Sequence, residues 1–252
     1  MYKKIIFILI VLASFKISIA QDVNQYIDSA EVYYTNSKYE KAIDMYKKVL
    51  ASGVESGVLY YNLGNAYYKD NRITDAILNY ERAKLFIPNN KDLIFNLDMA
   101  NRSITDKIDA VPEFFIVTWW KTFIGIFTSD TWAIISMASF VMLLSFVFLF
   151  FFTRTYSLKK LSFWFGIILL FLSFSSFIFA SKTKNAIEKH NTAIIFEPVI
   201  NVKSSPGDVG TELFVIHEGT KVEITQRSGD WIEIKLANGN KGWVKSDLVE
   251  II

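Results

Sequence analysis

Few residues in this chain of 252 could carry acid–base, metal or nucleophilic chemistry. The chain contains two histidines, His190 and His217, and no cysteine. Neither histidine has a metal-ligand partner three or four residues away, and no zinc-protease, nucleophile-elbow or phosphate-loop motif occurs. His217 and Glu218 are adjacent, so on a strand their side chains would point to opposite faces. We therefore expect a protein that is not an enzyme and that uses no metal and no cofactor.

Composition narrows the classes of function further. The chain is 52% hydrophobic with a mean hydropathy of +0.27, which is too apolar for a single soluble domain. Without Lys3, Lys4 and Lys16 near the N-terminus, acidic and basic residues almost balance. A nucleic-acid partner is therefore not expected, because contact with phosphates needs a basic surface. The lack of cysteine excludes disulfide scaffolds, thiolate metal sites and a lipoprotein anchor.

Residues 1–20 are predicted to form a signal peptide. Two lysines precede an apolar run, and Ser18-Ile19-Ala20 offers the small residues that signal peptidase requires. The alternative is an uncleaved anchor, but Lys16 leaves the run too short to cross a hydrocarbon core of about 30 Å. The mature chain would then begin at Gln21, outside the cytoplasm.

Two uncharged runs predict a transmembrane hairpin that contacts membrane lipid. Residues 131–152 would span roughly 33 Å as a helix, and residues 161–181 carry glycine and serines that let helices approach in lipid. The loop between them, residues 153–160, holds three basic residues and no acidic one. The positive-inside rule places this loop in the cytoplasm. Both flanking parts would then lie on the periplasmic side of a two-pass inner-membrane protein.

The segments that flank the hairpin differ in character. Residues 111–130 are predicted to form an amphipathic segment that lies in the outer membrane interface, because Trp and Phe recur around Lys121. The alternative is that these aromatic residues pack on the preceding helices. Residues 182–190 are read as a short charged linker.

A repeat with a period of 34 residues covers units of about 23–56 and 57–90. Its positions in the second unit are Tyr60, Leu63, Gly64, Tyr67, Ala76, Tyr80, Ala83 and Pro88. A capping helix over 92–108 is expected to follow, because Asp98 replaces the small residue of the repeat. These residues resemble the tetratricopeptide repeat (TPR), which implies an all-α helical repeat domain over residues 21–110.

The TPR resemblance implies a concave face that binds a protein or peptide, lined by the first helix of each pair. The residues expected on this face are Asn24, Glu31, Tyr34, Tyr61, Asn62, Asn65, Tyr68, Lys69, Phe95 and Arg102. The TPR type that grips a C-terminal carboxylate is partly matched by Asn62, Asn65 and Lys69. A solvated surface without a ligand is the alternative interpretation.

Residues 191–252 change from helical spacing to alternation with tight turns. Five or six short strands are predicted, which is typical of a small β-barrel. The segments 201–206, 230–234 and Gly242-Trp243-Val244 resemble the bacterial SH3 (SH3b) domain, although Lys203 stands where that family has an arginine. The resemblance implies binding of peptidoglycan peptides or proline-bearing segments.

Three aromatic residues, Phe214, Trp231 and Trp243, are the candidates for an SH3b binding groove. The alternative is that tryptophans at alternate strand positions form the core of so small a barrel.

The order of the parts resembles the BatE-type family of the Bacteroides aerotolerance (Bat) operons: signal peptide, TPR domain, membrane hairpin and all-β SH3-like barrel. That resemblance implies an inner-membrane component that faces the periplasm and acts with von Willebrand A domain membrane proteins in stress or oxygen tolerance. The expected function is a non-enzymatic scaffold or adaptor that binds partner proteins. The alternative is a peptidoglycan-binding sensor or anchor that acts through the SH3b domain.

Overall fold

The computed structural model describes residues 22–252 except 110, 113 and 208. The predicted signal peptide, residues 1–20, lies outside the described residues. The chain divides into two units. One unit comprises the residues up to Val111 together with Asn191–Ile252, and the other is Pro112–His190.

Five helices build the N-terminal part of the first unit. They are α1 (22–35), α2 (Tyr39–Ala51), α3 (Gly57–Lys69), α4 (Ile73–Phe86) and α5 (Lys91–Asn101). The first residues of α2 and α4 are 34 positions apart, as are those of α3 and α5. The side chains of Ser56 and Asn90 begin α3 and α5 by accepting a hydrogen bond from the amide three residues later.

Small residues allow α3 and α4 to cross closely. A Cβ atom at Gly64 would lie 2.6 Å from Cδ1 of the Tyr80 ring, so any larger residue would push the two helices apart. Ala76 and Ala83 of α4 are fully buried, and Tyr80 is 1% exposed. The aromatic rings thus fill the space that the small residues leave.

Helix α5 is shorter than the capping helix expected over 92–108. It ends at Asn101, and Lys107 then folds back over its C-terminus. The ammonium group of Lys107 donates hydrogen bonds to the carbonyl oxygens of Asn101, Arg102 and Ile104 at 3.1, 2.7 and 2.7 Å. These bonds satisfy carbonyl groups that have no partner within the helix.

The C-terminal part of the first unit is a seven-stranded antiparallel sheet. Its strands are β1 (Thr192–Ile195), β2 (Val199–Lys203), β3 (Glu212–His217), β4 (Lys221–Ser228), β5 (Trp231–Lys235), β6 (Lys241–Lys245) and β7 (Val249–Ile251). The strand order is β3-β2-β6-β5-β4-β1-β7. Six of these strands contribute inward residues to one hydrophobic cluster, so the sheet curves around a single core. The sheet has one strand more than the five or six expected. Strand β7 is only three residues long, which is too short for a clear alternation in the sequence.

The hydrophobic cluster of the helices and that of the sheet meet at a seam. Ile194 of β1 and Ile252 belong to the buried cluster formed by the helices, and Phe196 packs against it. In the other direction, Ile108 packs against the core of the sheet. Gly219, with φ +82°, lies so close to Ile104 that a Cβ atom there would be 2.5 Å from the Ile104 Cγ2 atom. The two parts therefore pack against each other within the first unit.

Polar contacts surround this apolar seam. Lys221 Nζ of β4 lies 2.6 Å from Glu81 Oε2 of α4, whose side chain is 8% exposed. Arg82 donates a hydrogen bond of 2.6 Å to the carbonyl oxygen of Ile251 and contacts Glu250 at 3.2 Å. A carboxylate as buried as that of Glu81 needs its partner, because an unpaired charge at this depth is strongly destabilising.

Asp106 fastens the segment after α5 to the β3–β4 turn. Its carboxylate accepts hydrogen bonds from the His217 backbone amide at 2.7 Å and the Thr220 hydroxyl at 2.8 Å, and it contacts His217 Nδ1 at 2.8 Å. Burial alone would raise the pKa of Asp106 above its usual 3.8, but these hydrogen bonds outweigh it and lower the pKa. The aspartate is therefore bound as an anion.

The second unit holds α6 (Phe115–Ile124), α7 (Ser129–Phe152) and α8 (Tyr156–Glu188). In the described part of the chain, α7 and α8 are the two helices long and apolar enough to cross a membrane. Only three residues separate them, so most of the expected loop 153–160 is the first turn of α8. The expected linker 182–190 is likewise helical through Glu188, because nothing in its composition stops a helix.

Serines join α7 and α8 along their seam. The hydroxyl of Ser136 donates to the Ser173 carbonyl oxygen at 2.9 Å, and the Ser173 hydroxyl donates to the Ser136 carbonyl oxygen at 3.0 Å. Such bonds between helices, together with small residues, are the usual source of helix association in lipid. Gly166 lies beside Leu143 of α7, and a Cβ atom there would make an ordinary contact of 3.7 Å with the Leu143 Cδ1 atom.

The aromatic residues of α6 divide into two sets. Trp120 and Phe123 pack against Phe179 of α8 with ring centroids 5.6 and 5.9 Å apart, whereas Phe115 and Trp119 are 78% and 63% exposed. The indole N–H of Trp132 donates to the Ile124 carbonyl oxygen at the end of α6 at 2.9 Å. One face of this short helix thus packs on the hairpin, and the other remains apolar and uncovered.

We predict that Asp106→Asn loosens the β3–β4 turn at neutral pH. Loss of charge-assisted hydrogen bonds should cost about 2 kcal/mol, which corresponds to roughly 30-fold faster exchange of the His217 amide. Because the folded pKa lies below the ordinary 3.8, the stabilisation by Asp106 is complete above that pH and declines as the pH falls toward the folded pKa. Hydrogen–deuterium exchange of the full-length protein in detergent micelles, at pH 7 and pH 3, measures both effects.

The matched control is Asp98→Asn, which removes an exposed ion pair of 2.6 Å with Arg102. It should leave His217 exchange unchanged. Equal exchange in wild type and Asp106→Asn at pH 7 would contradict the anchoring role.

Candidate functional site

A groove runs along the face formed by α1, α3 and α5. It contains two adjoining cavities of about 320 and 250 Å³, which share Tyr34 and Asn65. The larger one is also lined by Tyr61, Tyr68, Lys69, Tyr80, Phe95, Asn96 and Met99. The smaller one is also lined by Glu31, Thr35, Tyr46 and Asn62. A shallow groove of this size suits an extended peptide segment better than a small cofactor.

Asn65 organises the floor of the groove. Its Oδ1 atom accepts hydrogen bonds from the Tyr80 hydroxyl and from Asn96 Nδ2, both at 2.8 Å. Asn96 Nδ2 also donates to the Tyr61 hydroxyl oxygen at 3.1 Å. One side chain thereby links α3, α4 and α5 through its acceptor oxygen.

Tyr80 contributes to this network as a neutral donor. Burial raises the pKa of its hydroxyl far above the usual 10, and neighbouring tyrosines Tyr61 and Tyr34 raise it further. The proton therefore stays on Tyr80 at any physiological pH, and the bond to Asn65 persists.

Two further side chains on α3 offer polar groups to a ligand. Asn62 and Lys69 lie about one turn before and one turn after Asn65 on the same face of the helix, and both line the groove. An asparagine amide can bind a peptide carbonyl and N–H together, and a lysine ammonium binds a carboxylate. Opposite them, Phe95 and Met99 are 64% and 39% exposed and offer apolar contact.

The structure gathers most of the residues expected on the concave face. Glu31, Tyr34, Tyr61, Asn62, Asn65, Tyr68, Lys69 and Phe95 line the two cavities. Asn24 and Arg102 do not: Asn24 lies with Gln25 and Asp28 elsewhere on α1, and Arg102 pairs with Asp98 on the surface. The difference for Arg102 follows from the early end of α5, which leaves this residue beyond the helix.

Sequence reasoning missed Asn96 and Met99. The period would have found both, because they stand 34 residues after Asn62 and Asn65. The prediction of a capping helix rested on Asp98 instead.

The SH3b aromatic candidates fall on opposite faces of the sheet. Trp231 and Trp243 alternate with the buried Ile232, Ile234 and Val244, so they lie on the outer face. Phe214 instead packs against the inner core. The tryptophans therefore are not the core of the barrel, and they form a candidate surface without Phe214.

Two lysines flank Trp231 on this outer face. Lys203 Nζ lies 5.5 Å and Lys245 Nζ 6.0 Å from the centroid of its ring, distances at which ammonium groups are attracted to an indole face. The strand register places Lys203 opposite Trp243 and Lys245 opposite Trp231. Close packing of β6 on β2 needs Gly242, because a Cβ atom there would overlap the Val202 side chain.

The two histidines have different surroundings. His217 is held by Asp106 at the helix–sheet seam, and His190 follows the end of α8 with φ +41°. Within the described residues, no group of three or more His, Cys, Asp or Glu side chains could hold a metal ion.

We predict that Asn65→Ala destabilises the helical groove. The buried Tyr80 hydroxyl and the Asn96 amide would lose their shared acceptor, at a cost of about 1–3 kcal/mol. Faster hydrogen–deuterium exchange in the α3 and α5 peptides of the full-length protein measures the loss. The control Asn62→Ala should change exchange by less than about threefold, since it breaks none of these bonds. Equal protection in both variants would contradict the role of Asn65.

Comparison with known proteins bears on the C-terminal sheet. Residues 198–250 match the family described as "Bacterial SH3 domain". A stretch of 57 residues is 37% identical to the Bacillus subtilis (strain 168) protein named "Putative N-acetylmuramoyl-L-alanine amidase YrvJ". The match covers 23% of this chain and 11% of that relative. The antiparallel sheet that carries Trp231 is therefore a bacterial SH3 (SH3b) domain.

Proposed function

We propose that this protein is a non-enzymatic adaptor that binds a partner protein in the groove of α1, α3 and α5. The observation that supports this proposal is the lining of the groove, where Asn62 and Lys69 present polar groups beside the exposed ring of Phe95. Helix starts repeated every 34 residues support its assignment as a TPR domain. A peptide with polar backbone groups, an apolar side chain and a carboxylate fits this chemistry.

The second unit is proposed to tether the adaptor to the inner membrane. Helices α7 and α8 have the length and hydropathy of spans, and their outward Phe, Leu and Ile side chains are exposed. The basic residues near the short connection support a cytoplasmic position for it, which would leave the TPR and SH3b domains in the periplasm. The exposed face of α6 would then lie in the membrane interface.

Membership of a Bat-type complex, with a role in aerotolerance or stress, is part of the proposal. It rests on the order of the parts along the chain, in which a membrane hairpin separates helical repeats from an SH3b domain. The partner expected in the groove is a von Willebrand A domain membrane protein.

The groove assignment predicts site-specific cross-linking. A photoreactive phenylalanine analogue at position 95, in full-length protein in native membranes, should form adducts with a membrane protein. Asn62→Ala combined with Lys69→Ala should lower the yield about tenfold, because two polar contacts are lost. The control Lys47→Ala changes an exposed residue of α2 outside both cavities and should have no effect.

Several outcomes would contradict the proposal. An equal yield of adducts from wild type and the double variant would contradict the assignment of the groove as the binding face. Adducts that contain no von Willebrand A domain protein would remove the Bat-type partner. A high-pH wash strips peripheral proteins from membranes. Release of this protein by such a wash would contradict the proposed membrane tether.

A second candidate function is peptidoglycan binding through the SH3b domain, as a wall sensor or anchor. It is favoured by the outward position of Trp231 and Trp243 and by the similarity to the protein named "Putative N-acetylmuramoyl-L-alanine amidase YrvJ". The full-length protein in detergent micelles is then expected to co-sediment with purified sacculi. Recovery in the supernatant alone would contradict this candidate.

A further inference from the structure

We infer that the outer face of β2, β6 and β5 is a binding site for carboxylate-bearing peptides, with Trp231 as its centre and Lys203 and Lys245 as its charged contacts. This inference rests on the second candidate function and deepens it, since it names the atoms that recognise a wall peptide and the charge that the ligand must carry. The surface is formed by Lys203, Trp231, Lys235, Lys241, Trp243 and Lys245, and it is called the Trp231 face.

The strand register proves that these side chains share one face. In an antiparallel pair, directly opposed residues project to the same side of the sheet. Trp231 is opposite Lys245, Lys235 is opposite Lys241, and Trp243 of β6 is opposite Lys203 of β2. The buried residues between them, including Ile232 and Val244, point to the other side.

Charge is segregated on this domain. Residues 190–252 contain nine acidic and six basic residues, so the domain as a whole would repel an anion. Yet four of the six basic residues lie on the Trp231 face, while Lys221 is engaged by Glu81 at the helix–sheet seam.

Three carboxylates lie on the same face as these four lysines. Glu233, opposite Trp243, accepts a hydrogen bond from Thr225, and Glu212, opposite Lys203, accepts one from Asn201 at 2.8 Å. Glu223 of β4 pairs with Lys235 at 3.3 Å. Asp230 and Asp247 lie outside the strands, before β5 and after β6. Four lysines and three carboxylates leave this face with an excess of one positive charge, on a domain whose net charge is negative.

The arrangement of the lysines selects the ligand. Lys203 and Lys245 lie within 6.0 Å of the same ring centroid, so a ligand whose apolar part stacks on the indole brings any carboxylate within reach of one ammonium or both. A neutral peptide would gain the stacking alone. Wall stem peptides combine short apolar side chains with several free carboxylates, and they meet both requirements.

The local backbone keeps this geometry. A bulge in β2 at Val202/Lys203 and the close approach of Gly242 bring Lys203 beside Trp243. The Lys203 ammonium also donates to the Gly207 carbonyl oxygen at 3.5 Å, which orients it over the ring. Two neighbouring strands thus fix the positions of the charges before a ligand arrives.

The test measures binding of a synthetic wall stem tetrapeptide by ligand-observed NMR, with full-length protein in non-ionic detergent micelles. Lys203→Gln and Lys245→Gln should each weaken binding about three- to fivefold, and the double variant about tenfold. Conversion of the peptide carboxylates to amides should have a similar effect, and added salt should weaken binding of the free acid. Arg227→Gln removes the same charge from β4, opposite the inward Ile232, and should change the affinity less than twofold.

Trp231→Phe keeps a smaller aromatic platform and should weaken binding several-fold without loss of the fold, whereas Trp231→Leu should abolish it. Equal binding of the amide and acid peptides, or no effect of the lysine variants, would overturn the inference and leave wall binding intact. No binding of peptide or sacculi would overturn both. Lysine-dependent binding of anionic phospholipid vesicles without peptide binding would show a membrane-docking surface instead, and would also overturn it.

Discussion

Burial of apolar residues between α4 and the first strand of the sheet is the constraint on which the rest of the first unit depends. Ile194 and Ile252 are almost completely buried among helix residues, although they belong to the C-terminal part of the chain. Each such residue contributes about 1.5–3 kcal/mol when fully buried. Separation of the helical array from the SH3b domain would therefore expose these residues to water.

Helix α4 serves both sides of that seam. Tyr80 reaches into the groove and holds Asn65, while the next two residues, Glu81 and Arg82, bind the sheet. Since these positions are consecutive, a rotation of α4 cannot change one set of contacts and spare the other. The groove and the sheet are therefore coupled through α4 within the first unit.

The sequence predicted the local features of this fold well and the long-range features poorly. The 34-residue period located the helices because small residues such as Gly64 recur at the points where helices cross. Alternation and turn residues located six strands, but the pattern could not tell which face was buried. The inward position of Phe214 and the outward position of Trp231 follow from strand register, which depends on partners distant in the chain.

The same reason explains the error at α5. Residues 102–108 carry no signal that would stop a helix, and they leave it because Asp106 binds His217, 111 residues later. For the groove, the polar residues of α3 were predictable from helical spacing. The use of Asn65 as a shared acceptor was not, because it requires the relative positions of three helices.

The interruption of the first unit by 112–190 has a consequence for biosynthesis. At about 5–20 residues per second, roughly 4–16 s separate the synthesis of Val111 from that of Asn191. During this interval the helical array has no sheet to cover Ile77 and Ile104, and under the proposed topology the intervening segment enters the membrane before the missing strands emerge. The nascent array thus exposes an apolar surface that is prone to aggregation. We expect envelope chaperones that bind such surfaces to protect the chain at this stage.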